Sequence, residues 1–525
     1  MYWLRRATIL TAIFFAFAFV AWLTPRVLDP IKHDPSRRLR DRRWVDSSPY
    51  FLDRQSCRWL SICGLHHLRK DPAEIPTALT KDQRRWREWQ DQHLQLTKRW
   101  YDVEPAPKVD KKRNLRDRRR VLKDVPDYVL KHAPLVHLYS GEHFWPSDIR
   151  EHIEHMTPHV GQELINSTDP WTLHNLHDLD QQAQRVILRS NDDVESRPDW
   201  LHSDHNIPSP FDSDDDDDDG DGDDHPTIPP ARRGRYNHQE RTTWYDVDKD
   251  HPLHRISDPR RVGSQPKPKF DSARKLHSRG HRPDDDGYSK APAVLVLVDK
   301  GSGVLDAFWF FFYSYNLGQT VLGIRFGNHV GDWEHCMMRF ENGEPRAIFF
   351  SEHEGGQAYA YEAVEKYGDR PVIYSAVGSH AMYALPGTHP YILPFRLLKD
   401  ETDKGPIWDP SLNNYAYHYD YVRAGPVHED VQDLDLDLNM DLDTGESLFP
   451  AASNPSAPTS WFHFSGRWGD EVYSLADIRQ WRLFGQYHYV TGPQGPKFKH
   501  LDRSKVCQTD RCKVLYELDP KGTWY

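Results

Sequence analysis

Asp332–Phe340 reads DWEHCMMRF, and its alternation decides the architecture of the C-terminal half of the chain. Side chains two apart along a strand share a face. Read as a strand, the stretch places Asp332, Glu334, Cys336, Met338 and Phe340 on one side. Cys336, Met338 and Phe340 belong in an apolar core, so Asp332 and Glu334 mark the edge where that core meets water. His335 points to the opposite face from Cys336. The residues just before, GNHVG, put His329 in a turn that can bend back towards the two carboxylates.

The surroundings carry the same texture. APAVLVLVDK, DAFWFFFYSYN, RAIFFSEH and RPVIYSAVG are short, aromatic or β-branched runs separated by Gly, Asn, Asp and Pro. That punctuation predicts a mainly β fold, a β-sandwich core with peripheral helices. Glu341-Asn342-Gly343-Glu344 is a hairpin signal, because Asn-Gly accepts the positive φ angles of a tight turn. Upstream, APLVHLY reads as a strand, and Ser147 as the cap of a helix that follows Pro146.

The chain has 525 residues, of which 38% are hydrophobic and 28% charged, with 39 Pro. Such a balance predicts that part of the length does not pack into a core. Five segments are expected: a signal anchor or transmembrane segment over 1–32, a polar charged stem over 33–124, a first part of the folded domain over 125–189, a disordered acidic insertion over 190–290, and the β-rich core over 291–525. The insertion contains FDSDDDDDDGDGDD, which repels itself and cannot bury a core. DLDLDLNMDLDTGE (Asp433–Glu446) spaces acidic residues like a calcium loop, but Met440 stands where the sharp turn needs glycine. The net charge of −11 comes largely from the Asp run, and nothing reads as a nucleic-acid-binding domain.

Ala7–Leu23 is an uncharged apolar run at the lower edge of the roughly 17–25 residues needed to span a bilayer. A retained anchor is preferred over a cleaved signal peptide, giving a single-pass protein of the secretory pathway or vacuole. The basic flank after the run argues for a cytosolic body. Cys57 with Cys63 and Cys507 with Cys512 suit two small disulfide loops, with five free thiols as the alternative. Together with the sequon at Asn166, they favour a lumenal body.

The chemistry gathers around the opening stretch. Two carboxylates in a partly dry place repel, and one must take a proton or find a cation. An imidazole and two carboxylates, with positions left for water, suit Ca²⁺, Mg²⁺ or Mn²⁺ better than structural zinc. His353 and His380 also end apolar strands and can converge on the same rim. The expected metal set is His329, Asp332, Glu334 and His380. The bland alternative is solvated strand-end histidines, since the chain has 30 of them. No nucleophile constellation stands out, for Gly378-Ser379-His380 is not a G-x-S-x-G elbow.

GNHVGDWEHCMMRF, FFSEHEGG, RPVIYSAVGSHAMY, GRWGD and QYHYVTGPQGPKFKHLDRSKVC together resemble the fungal vacuolar protein sorting-associated protein 62 family. Asp127–Asp148 resembles that family's opening. The resemblance implies a role in protein delivery to the vacuole and carries no established catalytic residue. A fainter similarity is to the necrosis- and ethylene-inducing peptide-like proteins, whose Gly-His-Arg-His-Asp-Trp-Glu motif lies beside a divalent cation in a β-sandwich. His329, Asp332 and Glu334 match its first histidine, aspartate and glutamate. Val330 and Gly331 replace its arginine and second histidine, and Asn316 is the nearest polar residue to a further expected ligand. His380 resembles a histidine near that cation.

Three functions compete. The preferred one is a membrane-anchored sorting protein whose β-sandwich holds a cation and binds a glycan, a lipid head group or sorting cargo, without being an enzyme. The second is a cation-dependent hydrolase with Glu334 or His380 as general base. The third is a secreted membrane-active protein.

Overall fold

The computed structural model describes most of residues 2–28, 41–66, 100–101, 124–203, 281–391, 398–424 and 447–518. The charged stretch 71–99, the Asp run at 212–224 and the calcium-like stretch 433–446 lie outside the described residues.

Twelve strands position the site: β1 (Leu135–His137), β2 (Ala293–Gly301), β3 (Val304–Asn316), β4 (His329–Glu341), β5 (Glu344–Glu352), β6 (Gly355–Ala360), β7 (Arg370–Ser375), β8 (Met382–Tyr383), β9 (Ile407–Trp408), β10 (Asn414–Tyr419), β11 (Leu448–Pro450) and β12 (Val514–Leu515). The large sheet runs Trp100–Tyr101, β12, β6, β5, β4, β3, β2, β10, β11. Its β2–β6 meander is antiparallel, whereas β10 joins β2 and β12 joins β6 in parallel. The smaller sheet runs Lys366–Tyr367, β7, β1, β9, with β8 on β7. Asn342 and Gly343, at φ 54° and 86°, form the expected hairpin between β4 and β5.

The large sheet is covered on both faces. Leu295, Trp309, Phe311, Cys336, Met338, Phe340 and Phe350 pack with Val136, Ile373, Met382 and Trp408 of the smaller sheet. Val296, Phe308, Phe310, Phe312, Trp333 and Met337 pack the other way, against Phe144, Ile153, Trp461, Phe462 and Trp468. The burial of every residue of β3 follows from this double cover, which selects a near-continuous apolar run over simple alternation. His335 lies over Phe310, ring centroids 5.2 Å apart, on the tryptophan side. Burial pushes its pKa well below the ordinary histidine range, so it stays neutral.

Three expectations are corrected or trimmed. Among the described residues, no helix is long and apolar enough to cross a membrane, so the transmembrane segment is not borne out. The chain does form a helix at Tyr2–Leu28, in which Arg5, Arg6 and Arg26 confine the apolar stretch to the middle. The helix at Ile149–Glu154 is capped by Asp148, whose carboxylate accepts from Arg150 N–H at 2.8 Å, and not by Ser147. Ser147 instead accepts from the backbone N–H of Ser314 at 3.1 Å. The fold also continues past the expected start of the insertion, since Val194, Trp200 and Leu201 are buried core residues.

Gly331 sits in β4 at φ +72°, and a Cβ there would meet the Trp468 carbonyl oxygen at 2.4 Å. Both the backbone angle and the space demand glycine, because the GRWGD loop lies directly on the strand. Gly331→Ala is expected to destabilise the protein by about 3 kcal/mol, combining left-handed strain and overpacking. Gly368, at φ +62° with nothing within 4 Å, is the control, and Gly368→Ala should cost only about 1 kcal/mol. Urea unfolding of both variants checks the difference.

Candidate functional site

The rim of the large sheet is built by β4 and by the turn after β7. Ala376 N–H bonds Ala381 O at 2.9 Å and His380 N–H bonds Ala376 O at 3.0 Å, closing a tight turn. This turn holds His380 at φ 55°, a conformation uncommon outside glycine and kept only where the surroundings enforce it. The His380 ring lies flat on Tyr313, centroids 3.6 Å apart and planes 2° apart. Its Nδ1 donates to Asp332 Oδ2 at 2.9 Å, and its Nε2 to Phe144 O at 3.2 Å. Glu142 Oε1 lies 3.7 Å from the same Nε2.

All three charged groups are buried. Burial opposes charge on His380, but the carboxylates of Asp332 and Glu142 outweigh it and lift its pKa to about 9. Burial alone would raise Glu142; His380 and backbone donors reverse that and hold it below its ordinary value. Those donors are the N–H groups of His143, Phe144 and Gly378, at 2.8, 3.0 and 3.1 Å.

A second acid–imidazole pair stands beside the first. Asp400 is fully buried and accepts from Gln319 Nε2, Tyr383 OH, Ser379 Oγ and His353 Nε2 at 2.7, 2.7, 2.8 and 2.9 Å. The His353 side chain keeps 37% of its exposure, making it the water-facing member. Desolvation lowers its pKa, yet Asp400 lifts it to about 9.

The structure joins the sequence-derived residues unevenly. Asp332 and His380 touch. Glu334 accepts from the Ser351 hydroxyl, and burial with Asp332 beside it pushes its pKa up to about 7. His329 Nδ1 donates to Gly331 O at 2.7 Å; desolvation lowers its pKa although Asp332 pulls the other way. Asn316 pairs with His329 across β3 and β4 and donates to Gly327 O at 3.0 Å. Asp332 therefore acts electrostatically on His329, Glu334, His353 and His380. Among the described residues, these side chains do not close to within mutual ligand spacing. Sequence reasoning missed Glu142, Asp400, Ser351 and Glu352. Glu142 lay in a stretch already singled out, while Asp400 sits in LLKDETDKG without any motif. Glu352 is buried, and desolvation with Asp400 nearby raises its pKa well above the carboxylate range.

A raised histidine pKa stabilises the fold below the unfolded value near 6.5, and that contribution disappears as pH rises through about 9. Its size is about 3 kcal/mol. His380→Asn keeps a side chain that tolerates the left-handed backbone and removes the titrating group. Wild-type stability should fall between pH 7 and 10 by more than that of His380→Asn, measured by urea unfolding across that range.

Comparison with known proteins follows the same segments. The family model described as vacuolar protein sorting-associated protein 62 matches residues 306–392, from β3 through the rim turn. The putative vacuolar protein sorting-associated protein TDA6 of Saccharomyces cerevisiae is 36% identical over 407 residues, covering 73% of this chain and 68% of its own. Vacuolar protein sorting-associated protein 62 of the same yeast is 32% identical over 420 residues, with the same coverage. Among solved structures, necrosis and ethylene inducing protein 2 from the agent of cocoa's witches' broom disease is 17% identical over 18% of this chain and 46% of its own, with a TM-score of 0.15. A protein described as a toxin fold for microbial attack and plant defense gives 16% identity, 23% and 71% coverage, and a TM-score of 0.14. These two are distant neighbours and carry no argument. The identity and coverage of the yeast proteins do: the chain belongs to the vacuolar protein sorting-associated protein 62 family.

Proposed function

We propose that the chain is a membrane-associated protein of the vacuolar sorting route whose β rim binds a divalent cation, Ca²⁺, Mg²⁺ or Mn²⁺. Through that ion it binds the hydroxyls or phosphate of a glycan, a lipid head group or cargo. The observation that carries the reading is Glu334. It is buried two residues from Asp332 on one strand face, and its pKa is raised to about 7. A cation with oxygen-rich coordination removes that repulsion. His329, Asp332, Glu334 and His380 are the proposed ligand set, with His380 exchanging its bond to Asp332 for the ion or orienting that carboxylate.

Membrane contact is assigned to the Tyr2–Leu28 helix, which is uncharged and apolar all round between Ala7 and Leu23. The body is placed on the lumenal side. Supporting this are the Cys57–Cys63 and Cys507–Cys512 disulfides and the exposure of Asn166.

One observation favours a second reading, a cation-dependent hydrolase. A carboxylate with a pKa near 7 suits a general base on metal-bound water. Within this reading Glu334 is the base, because the proton on His380 is held by Asp332 and Glu142.

The central test is titration of purified protein with Ca²⁺, Mg²⁺ and Mn²⁺ by calorimetry. Wild type should bind one ion, and Asp332→Ala should weaken binding at least about tenfold. Equal affinity in the two proteins would sink the proposal. Ester, glycoside and phosphate substrates, with and without chelator, separate the hydrolase from a binding protein. For the topology, Asn166→Gln should abolish a glycosidase-sensitive mobility shift seen in the wild type; no shift in either would remove the lumenal placement.

A further inference from the structure

A second cluster of metal-ligating side chains lies at the neck of the acidic insertion. Glu151 comes from the helix Ile149–Glu154. His202 follows the short 3-10 turn Asp199–Leu201, and His281 stands where the described chain resumes after residues 204–280. His202 Nε2 is 2.9 Å from Glu151 Oε2, and His281 Nε2 is 3.7 Å from the same oxygen. The two imidazoles are stacked, centroids 3.8 Å apart with 29° between planes. One ligand atom from each of the three residues falls within 4.8 Å of the others.

The placement is fixed by the fold. Trp145 N–H donates to His202 O at 3.2 Å, and Ser289 Oγ donates to His281 O at 2.6 Å. The His202 and His281 side chains retain only 7% and 14% of their exposure, while Glu151 keeps 35%. The cluster is therefore enclosed on the histidine side and open on the carboxylate side.

We propose that Glu151, His202 and His281 bind a zinc ion, with water in the fourth position. Two imidazole nitrogens and one carboxylate oxygen form a zinc donor set and a poor one for Ca²⁺ or Mg²⁺. Tetrahedral ligands about 2.0–2.1 Å from zinc stand roughly 3.4 Å from one another, and the observed 2.9 and 3.7 Å bracket that spacing. Both Nε2 atoms already lie within 3.7 Å of the same carboxylate oxygen. The metal explains why two stacked rings converge on a single carboxylate, since as cations they would repel. His202 and His281 lie on either side of residues 204–280, so zinc would tie the described residues flanking that stretch to one helix.

The test uses the full chain, stripped with chelator and dialysed against Zn²⁺, with bound metal counted by elemental analysis. Wild type should hold one zinc that His202→Ala and His281→Gln each weaken at least about tenfold. Asp332→Ala, at the rim site, should leave this zinc in place, which separates the two sites. Co²⁺ in place of zinc should give the intense visible absorption of a four-coordinate ion in wild type and lose it in His281→Gln. Zinc should raise the melting temperature of wild type and not that of His281→Gln. Undiminished zinc in both histidine variants would overturn the proposal. So would absence of stoichiometric zinc from a wild type that unfolds cooperatively. If His202→Ala fails to fold, His281→Gln, at the less buried of the two histidines, carries the decision.

Discussion

A buried imidazole held between two carboxylates joins the parts that make the rim. His380 belongs to the turn leaving the smaller sheet, Asp332 to the central strand of the large one, and Glu142 to the loop entering from β1. Charges this deep are costly to desolvate and survive only with their partners in place. The backbone donors on Glu142 and the flat stacking of Tyr313 on His380 supply the rest of the compensation. Once His380 is locked, the orientation of Asp332 follows. The raised pKa of Glu334 then follows from its burial, with Asp332 beside it adding to the shift.

The same strand meets charge differently at its other end. Arg339 places Nε and Nη2 each 2.7 Å from the two oxygens of Asp306, and both side chains are almost fully buried. Lys300 Nζ stands a further 3.9 Å from Asp306 Oδ2, so this carboxylate is well matched by charge. At the rim, five carboxyl groups, Glu142, Asp332, Glu334, Glu352 and Asp400, gather around the imidazoles of His380 and His353. The excess acidity is relieved by protons on Glu334 and Glu352, whose pKa values burial and neighbouring acids raise. At one end, β4 thus carries a cation paired with Asp306 of β3; at the other, it carries acids neutralised by imidazoles and bound protons.

Much of this was legible in the sequence, and the reason lies in period. DWEHCMMRF alternates, so Cys336, Met338 and Phe340 fell on the expected core face and His335 on the opposite one. Asn342-Gly343 specified its hairpin because few other pairs accept two positive φ angles. The contact between Asp332 and His380 was approachable because both lay at strand ends. What stayed hidden depends on long-range closure. Asp400 reaches His353 and Ser379 only from the strand Leu398–Thr402, which pairs with Gly387–Tyr391 outside both main sheets. Glu151, His202 and His281 share no spacing a reader could test, since residues 204–280 separate the two histidines. The Ser147 cap failed because its hydroxyl oxygen accepts from Ser314 N–H in β3, leaving Asp148 to accept from the helix N–H.

Protons and metal ions are alternative neutralisers of the same excess charge, and this sets how the rim behaves as conditions change. A cation entering between Asp332 and Glu334 must displace the proton that Glu334 keeps up to about pH 7, so its affinity rises with pH through that value. Ion binding at the proposed site would then be coupled to acidity in the range where compartments of the secretory and vacuolar route differ from the cytosol. His353, held charged by Asp400, stands at the open side of the rim and favours anionic groups on whatever approaches. On the proposed reading, a cation at the base of the rim and an imidazolium at its lip would together select ligands bearing hydroxyl or phosphate oxygens and negative charge. Protonation of Glu334 would then weaken such a site as the surroundings acidify.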